Sequence, residues 1–186
     1  FGCISSGRYL FDKMPKRNLV SWNVIISGYA NHGMSDDAMQ LFNLMRRNGV
    51  SADYFTIMNL ILASSGDNWG RTSTAVHGLI IRTGYNIEQQ IQTALINMYN
   101  SGNLIGEAYR VFGEMCFKDV VAWTLMLEGF TSGEYWRKAI EHFNEMMSIA
   151  YVVLDSTAIV SILASCSSSG ALLQGRRVHA LIEKWG

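Results

Sequence analysis

The chain reads as all-α, an α-solenoid of about five stacked helix-turn-helix repeats of 31–36 residues. Three observations predict it. LVSWNVIISGYA, around Trp22, returns as VVAWTLMLEGFT around Trp123, 101 residues later. HGLIIRTG at His77 returns 102 residues later as HALIEKWG at His179, one extra residue between Met146 and Leu154 accounting for the change of offset, so a unit of about 101 residues occurs nearly twice. Within that unit, apolar residues recur at i, i+3, i+4, i+7, the stripe of an amphipathic α-helix.

Residues 1–18 hold one such stripe, Gly7, Leu10, Phe11 and Met14, and read as the end of a repeat. In 19–53 a first helix carries Trp22, Ile25, Ile26 and Tyr29, and a second carries Ala38, Leu41, Phe42 and Met45. Asn31-His32-Gly33 is the turn between them, with Ser35 or Asp36 as the expected N-cap. Residues 54–88 form the next unit. In 89–119 the stripes are Ala94, Leu95, Met98, Tyr99 and Ala108, Val111, Phe112, Met115, joined at Asn100-Ser101-Gly102. In 120–155 they are Trp123, Met126, Leu127, Phe130 and Ala139, His142, Phe143, Met146, joined at Thr131-Ser132-Gly133. Residues 156–186 make a truncated last unit. The small residue of each second stripe lets a neighbouring helix approach, and the Phe fills the gap between hairpins. A hairpin this small cannot bury its apolar face alone, so stacking of neighbours is required. Both ends fall inside repeats, and the chain is expected to be an excerpt of a longer array.

Composition agrees with this reading and narrows function. The chain has 186 residues, 49% apolar, and one proline, Pro15, as suits a mostly helical chain. Fifteen Lys and Arg balance fifteen Asp and Glu, which argues against a strongly basic, non-specific nucleic-acid binder but not against reading of exposed bases. Cys3, Cys116 and Cys166 lie far apart and form no CxxC, so they are read as small buried hydrophobes in a reducing compartment, with no zinc site or disulfide framework. No apolar run reaches the roughly 18 residues of a membrane span. No HxE with CxxC, no P-loop and no GxSxG is present, so no catalytic residue, metal or cofactor is expected. His77 and His179 recur at equivalent places and read as packing residues; the Trp and Met stripes read as core. The pairs Lys16-Arg17, Arg46-Arg47 and Arg176-Arg177 read as solvated helix-end charge, with phosphate contact as a secondary role.

LFDKMPKRNLVSWNVIISGYANHG, VHGLIIRTGY and TALINMYNSGNLIGEAYRVFGEM resemble plant-type pentatricopeptide repeat proteins of the class that cycles P, L and S repeat variants. The resemblance covers the whole chain. It implies an S-type end at 1–18, then P-type 19–53, L-type 54–88, S-type 89–119, P-type 120–155 and truncated L-type 156–186. Ala52 and Leu154 stand where the family's P repeats carry Pro, and Cys116 stands where its S repeats do. The implied function is sequence-specific binding of single-stranded RNA in a mitochondrion or chloroplast, as part of an RNA-processing or C-to-U editing specificity factor. Editing-complex proteins are the further implied partners, and a targeting peptide is expected outside this segment.

The family reads bases with the fifth and last residues of a repeat. By resemblance these are Asn23 with Asp53, similar to pairs preferring uracil, and Thr93 with Asp119 and Thr124 with Asp155, similar to pairs preferring guanine. The chemistry is sound: an Asn amide offers a donor and an acceptor to a pyrimidine edge, a Thr hydroxyl serves a purine, and Asp accepts a base N–H or orients its partner. Met58 with Glu88 resembles no readable pair, so the implied readout is 5′-U-n-G-G-3′. Base clamping falls by resemblance to Val20, Phe55 and Val121, whereas Gln90 and Thr157 do not fit that role. Two plainer readings stand beside these: the three Asp residues are favoured N-caps, and Asn23 and Thr124 are solvated or capping residues at helix starts. A protein-binding scaffold of tetratricopeptide type is the rival function.

Overall fold

The structure, a computed structural model, describes residues 2–65, 69–149 and 155–185. Eleven α-helices and one short 3-10 turn, and no strand, occur among the described residues. The chain divides into two compact units, residues 1–102 and 103–186.

The first unit holds α1 (Gly2–Lys13), α2 (Leu19–Asn31), α3 (Ser35–Arg47), α4 (Tyr54–Ala63), α5 (Trp69–Thr83) and α6 (Gln89–Ser101). Helix α2 packs on α1, α3 and α4, and α4 packs on α5 and α6, so the first helices of successive hairpins lie side by side. The second unit holds α7 (Ile105–Glu114), α8 (Val120–Ser132), α9 (Trp136–Met147), α10 (Ser156–Ser169) and α11 (Leu172–Trp185), and repeats the scheme, α8 packing on α7, α9 and α10.

The stripes read from periodicity form the core. Trp22, Ile26, Ala38, Leu41, Phe42 and Met45 are buried in the first unit, and Ala108, Phe112, Trp123, Met126, Phe143 and Met146 in the second. The Phe does fill the gap beside the neighbouring hairpin: Phe11 meets Trp22 edge-on at 4.7 Å and Phe112 meets Trp123 at 4.9 Å. The stripe of α1 departs from expectation. Leu10 and Met14 are exposed, because α1 packs chiefly on α2 and turns Phe11, with Ile4 and Arg8, towards it. Leu154, the side chain of Cys3 and the extra residue between Met146 and Leu154 lie wholly or partly outside the described residues.

Among the described residues, the turns after α2, α6, α8 and α10 each hold one left-handed residue, fourteen positions beyond the first residue of the preceding helix: Gly33, Asn103, Glu134 and Gly170. In two hairpins the conspicuous glycine of the sequence, Gly102 or Gly133, sits one position earlier with ordinary negative φ. Nor are Ser35 and Asp36 the cap of α3. Met34 holds the N-cap position, and Ser35, inside the helix, turns its hydroxyl to the Ala63 carbonyl of the neighbouring hairpin.

Several side chains correct the sequence reading. Arg17 is not a free solvated charge. Its guanidinium donates to the Phe11 and Asp12 carbonyls at the end of α1 and lies over the Phe11 and Trp22 rings. Lys118 repeats the device on the Met115 carbonyl and the Phe112 ring. His77 packs as expected, against the ring and hydroxyl of Tyr99 on α6. His179 does not: it is 71% exposed beside Glu183. Cys166 is buried, but Cys116 follows Met115 into the loop before α8 and is exposed.

Candidate nucleic-acid interface

The first helices α2, α4, α6, α8 and α10 contain no Lys or Arg; their one charged residue is Glu128. Large apolar side chains nonetheless stand exposed on them, among them Val20, Val24, Phe55, Val121 and Val160. An uncharged helix with one buried and one solvent-facing apolar stripe needs a reason beyond packing within the chain.

In the first unit this face surrounds a closed set of hydrogen bonds. Asp53 is the N-cap of α4, its Oδ1 accepting the Thr56 N–H at 2.8 Å while the Thr56 hydroxyl accepts the Asp53 N–H at 3.2 Å, a capping box. The same Oδ1 accepts the Asn23 amide N–H at 2.9 Å, 30 residues away in sequence. The Thr56 hydroxyl donates to Asn23 Oδ1 at 2.7 Å and also lies 2.8 Å from Asp53 Oδ1. Asn59 donates to the Asn23 main-chain carbonyl at 3.4 Å. Partial burial opposes ionisation of Asp53, but the Thr56 N–H and the Asn23 amide outweigh it and hold the carboxyl below the usual aspartate range. Asn23 is thus anchored through one amide hydrogen and one lone pair, which leaves a second N–H and a second lone pair on a half-buried side chain.

The other expected reading residues are placed differently. Asp119 caps α8 through the Ala122 N–H at 2.9 Å, and Asp155 caps α10 through the Ala158 N–H at 2.7 Å. The capping expected of these three aspartates is therefore present throughout. Thr93, in the first unit, donates to the Gln89 carbonyl at 3.0 Å. Thr124 is neither solvated nor capping: it is 5% exposed, and its hydroxyl is buried without a hydrogen-bond partner. Glu128, one turn further along α8, is partly desolvated and lies near the Asp155 charge, and both raise its carboxyl above the usual range.

Val20, Phe55 and Val121, expected to clamp bases, are all more than half exposed. Gln90, which does not fit that role, instead accepts the Tyr54 hydroxyl at 2.8 Å. Sequence reading did not single out Thr56 or Asn59. The Asp-x-x-Thr spacing signals the capping box, but no local spacing reveals a bond to Asn23 on another helix. No cluster of His, Cys, Asp and Glu able to hold a metal ion occurs among the described residues.

The PPR repeat family pattern matches residues 17–63, and the PPR repeat pattern matches residues 93–120 and 121–149, PPR denoting pentatricopeptide repeat. This chain belongs to the pentatricopeptide repeat family. A chloroplastic pentatricopeptide repeat-containing protein of Arabidopsis thaliana is 34% identical over 98% of this chain and 21% of its own length. A putative mitochondrial one from the same plant is 33% identical over 98% of this chain and 30% of its own length. The chain thus spans a third or less of these pentatricopeptide repeat relatives. Among solved structures, the maize pentatricopeptide repeat protein PPR10 superposes with a TM-score of 0.71 at 22% identity, over 92% of this chain and 25% of PPR10. PPR10 in complex with an 18-nt psaJ RNA element gives 0.72 at 19% identity, over 97% of this chain and 28% of that one. The shared fold is the pentatricopeptide α-solenoid.

Proposed function

We propose that this array binds single-stranded RNA and reads its bases, as one segment of an organellar RNA-processing or C-to-U editing specificity factor. Its repeats follow the P-L-S cycle, with P-type 19–53 and 120–155, L-type 54–88 and 156–186, and S-type 89–119. The observation that carries the reading is the Asn23 amide, held by Asp53 and Thr56, with exposed Val20 three residues before Asn23 on α2 and exposed Phe55 beside Thr56 on α4. A residue serving only to solvate a helix start has no need of such a clasp. The setting is an organelle, since relatives matching nearly the whole chain are chloroplastic and mitochondrial proteins. The structure of PPR10 with an 18-nt RNA supports RNA as the partner class. Asn23 with Asp53 reads uracil; Thr93 with Asp119 and Thr124 with Asp155 read guanine, the Thr124 side chain having to turn outward to do so. Val20, Phe55 and Val121 hold the bases in place. The array itself performs no reaction, and proteins of an editing complex would act on the RNA it positions.

Unbiased RNA selection on the array with its natural flanking sequence tests this. Wild type is expected to enrich 5′-U-n-G-G-3′, and Asn23→Thr to move the selected motif to G-n-G-G. Absence of any motif, with the variant matching wild type, would instead favour a peptide-binding scaffold in which the aspartates are caps and nothing more.

A further inference from the structure

We infer that Thr56 is a specificity-determining positioning residue, setting which edge of the Asn23 amide a base meets and so discriminating uracil from cytosine. The inference rests on the RNA-reading function proposed above. Thr56 is fully buried and cannot touch a base. Its hydroxyl is the junction of the clasp: it accepts the Asp53 N–H and donates to Asn23 Oδ1, while Asp53 Oδ1 takes the Asn23 Nδ2–H.

Two anchors side by side along the outer edge of one amide, Thr56 Oγ1 and Asp53 Oδ1 lying 2.8 Å apart, fix its plane as well as its position. Flipping the amide would set Asn23 Oδ1 against Asp53 Oδ1, acceptor against acceptor, and would lose the Thr56 donor. The atoms left for a ligand therefore come in one spatial order, an oxygen on one side and an N–H on the other. Uracil and cytosine differ in just this respect along their Watson–Crick edges. Uracil carries an N3–H donor beside a carbonyl, whereas cytosine carries an N3 acceptor beside an amino group. A freely turning amide satisfies either base; a fixed one matches only one order.

The device is specific to this position. The residues three beyond the other two aspartates are Ala122 and Ala158, which give Asp119 and Asp155 a backbone N–H but no hydroxyl. Ser21, three beyond Asn18, turns its hydroxyl to the Asn18 carbonyl.

The test is fluorescence anisotropy with the array in its natural flanking sequence and two RNAs that differ only in U or C at the base assigned to Asn23. Wild type is expected to favour U by about tenfold, a normal worth for one well-matched base edge. Thr56→Val and Thr56→Ala, both without the hydroxyl, are expected to bring the two affinities within about threefold, mainly by gaining affinity for C, and Thr56→Ser to restore the preference. Using two hydroxyl-free variants, each checked by circular dichroism, guards against loss of fold in one. A folded Thr56→Ala with the wild-type U-to-C ratio, or a Thr56→Ser that discriminates no better than Ala, overturns the role of Thr56 while leaving RNA reading intact. A wild type that separates no RNA from another overturns the reading itself.

Discussion

His142 occupies a core position that is Leu41 in the first unit, wedged among Phe112, Trp123 and Phe130. It is 3% exposed, and its Nε2–H donates to the Trp123 carbonyl at 3.1 Å. Burial lowers its pKa from 6.5 to about 4, the hydrogen bond opposing only in part. The folded ring stays neutral while the unfolded one gains a proton below pH 6.5, so stability falls as pH drops from 6.5 towards 4 and levels off below. The loss attributable to this residue is about 3 kcal/mol at the acid end. Urea titrations from pH 7 to 4 are expected to show that slope in wild type and its disappearance in His142→Leu; equal slopes would contradict it. Asp53 acts in a different window. Its lowered carboxyl pKa contributes stability that is full above the ordinary aspartate value and is lost only as pH falls through the folded one. At this scale the sequence revealed His142 as a core residue and the aspartates as caps, because stripe and cap rules are local. It did not reveal the buried Thr124 hydroxyl or the Thr56 junction, which depend on packing between helices.

Hairpin turns show a similar division. That a turn lies near Gly102 and Gly133 is legible from composition; which residue takes the left-handed conformation depends on how helix length meets the next helix. At Glu134, exposed with φ of 62°, a side chain with β-carbon is held where glycine is favoured. Glu134→Gly is therefore expected to stabilise the protein by about 0.5–1 kcal/mol, part of the left-handed penalty being returned in the extra chain entropy of glycine. In thermal unfolding that is a rise of about 2 °C for a chain of this size. No change, or a fall, would mean that Glu134 makes compensating interactions. Asn103, at the equivalent place with φ of 57°, is a residue type that tolerates this conformation and has less to gain.

For the whole molecule, the repeated text and periodic stripes made the hairpin architecture legible. Charge needed the structure to be interpreted. Zero net charge says only that the chain is balanced; the helix boundaries show that Lys and Arg all lie on second helices and connections, away from the apolar face of the first helices. Binding through that face releases few counterions. RNA affinity measured between 50 and 200 mM salt is expected to fall with a log–log slope shallower than about −2, the value for roughly three phosphate contacts on a single strand. A slope near −5 would place the RNA against the basic second helices instead. If RNA binds there, the absence of Lys and Arg from the first helices would also govern timing. Without positive potential to draw a strand in from a distance, encounters would proceed at roughly 10⁵–10⁶ M⁻¹ s⁻¹ whatever their sequence. Correct and incorrect RNAs would then arrive equally often, and the protein would tell them apart by how long each one stays.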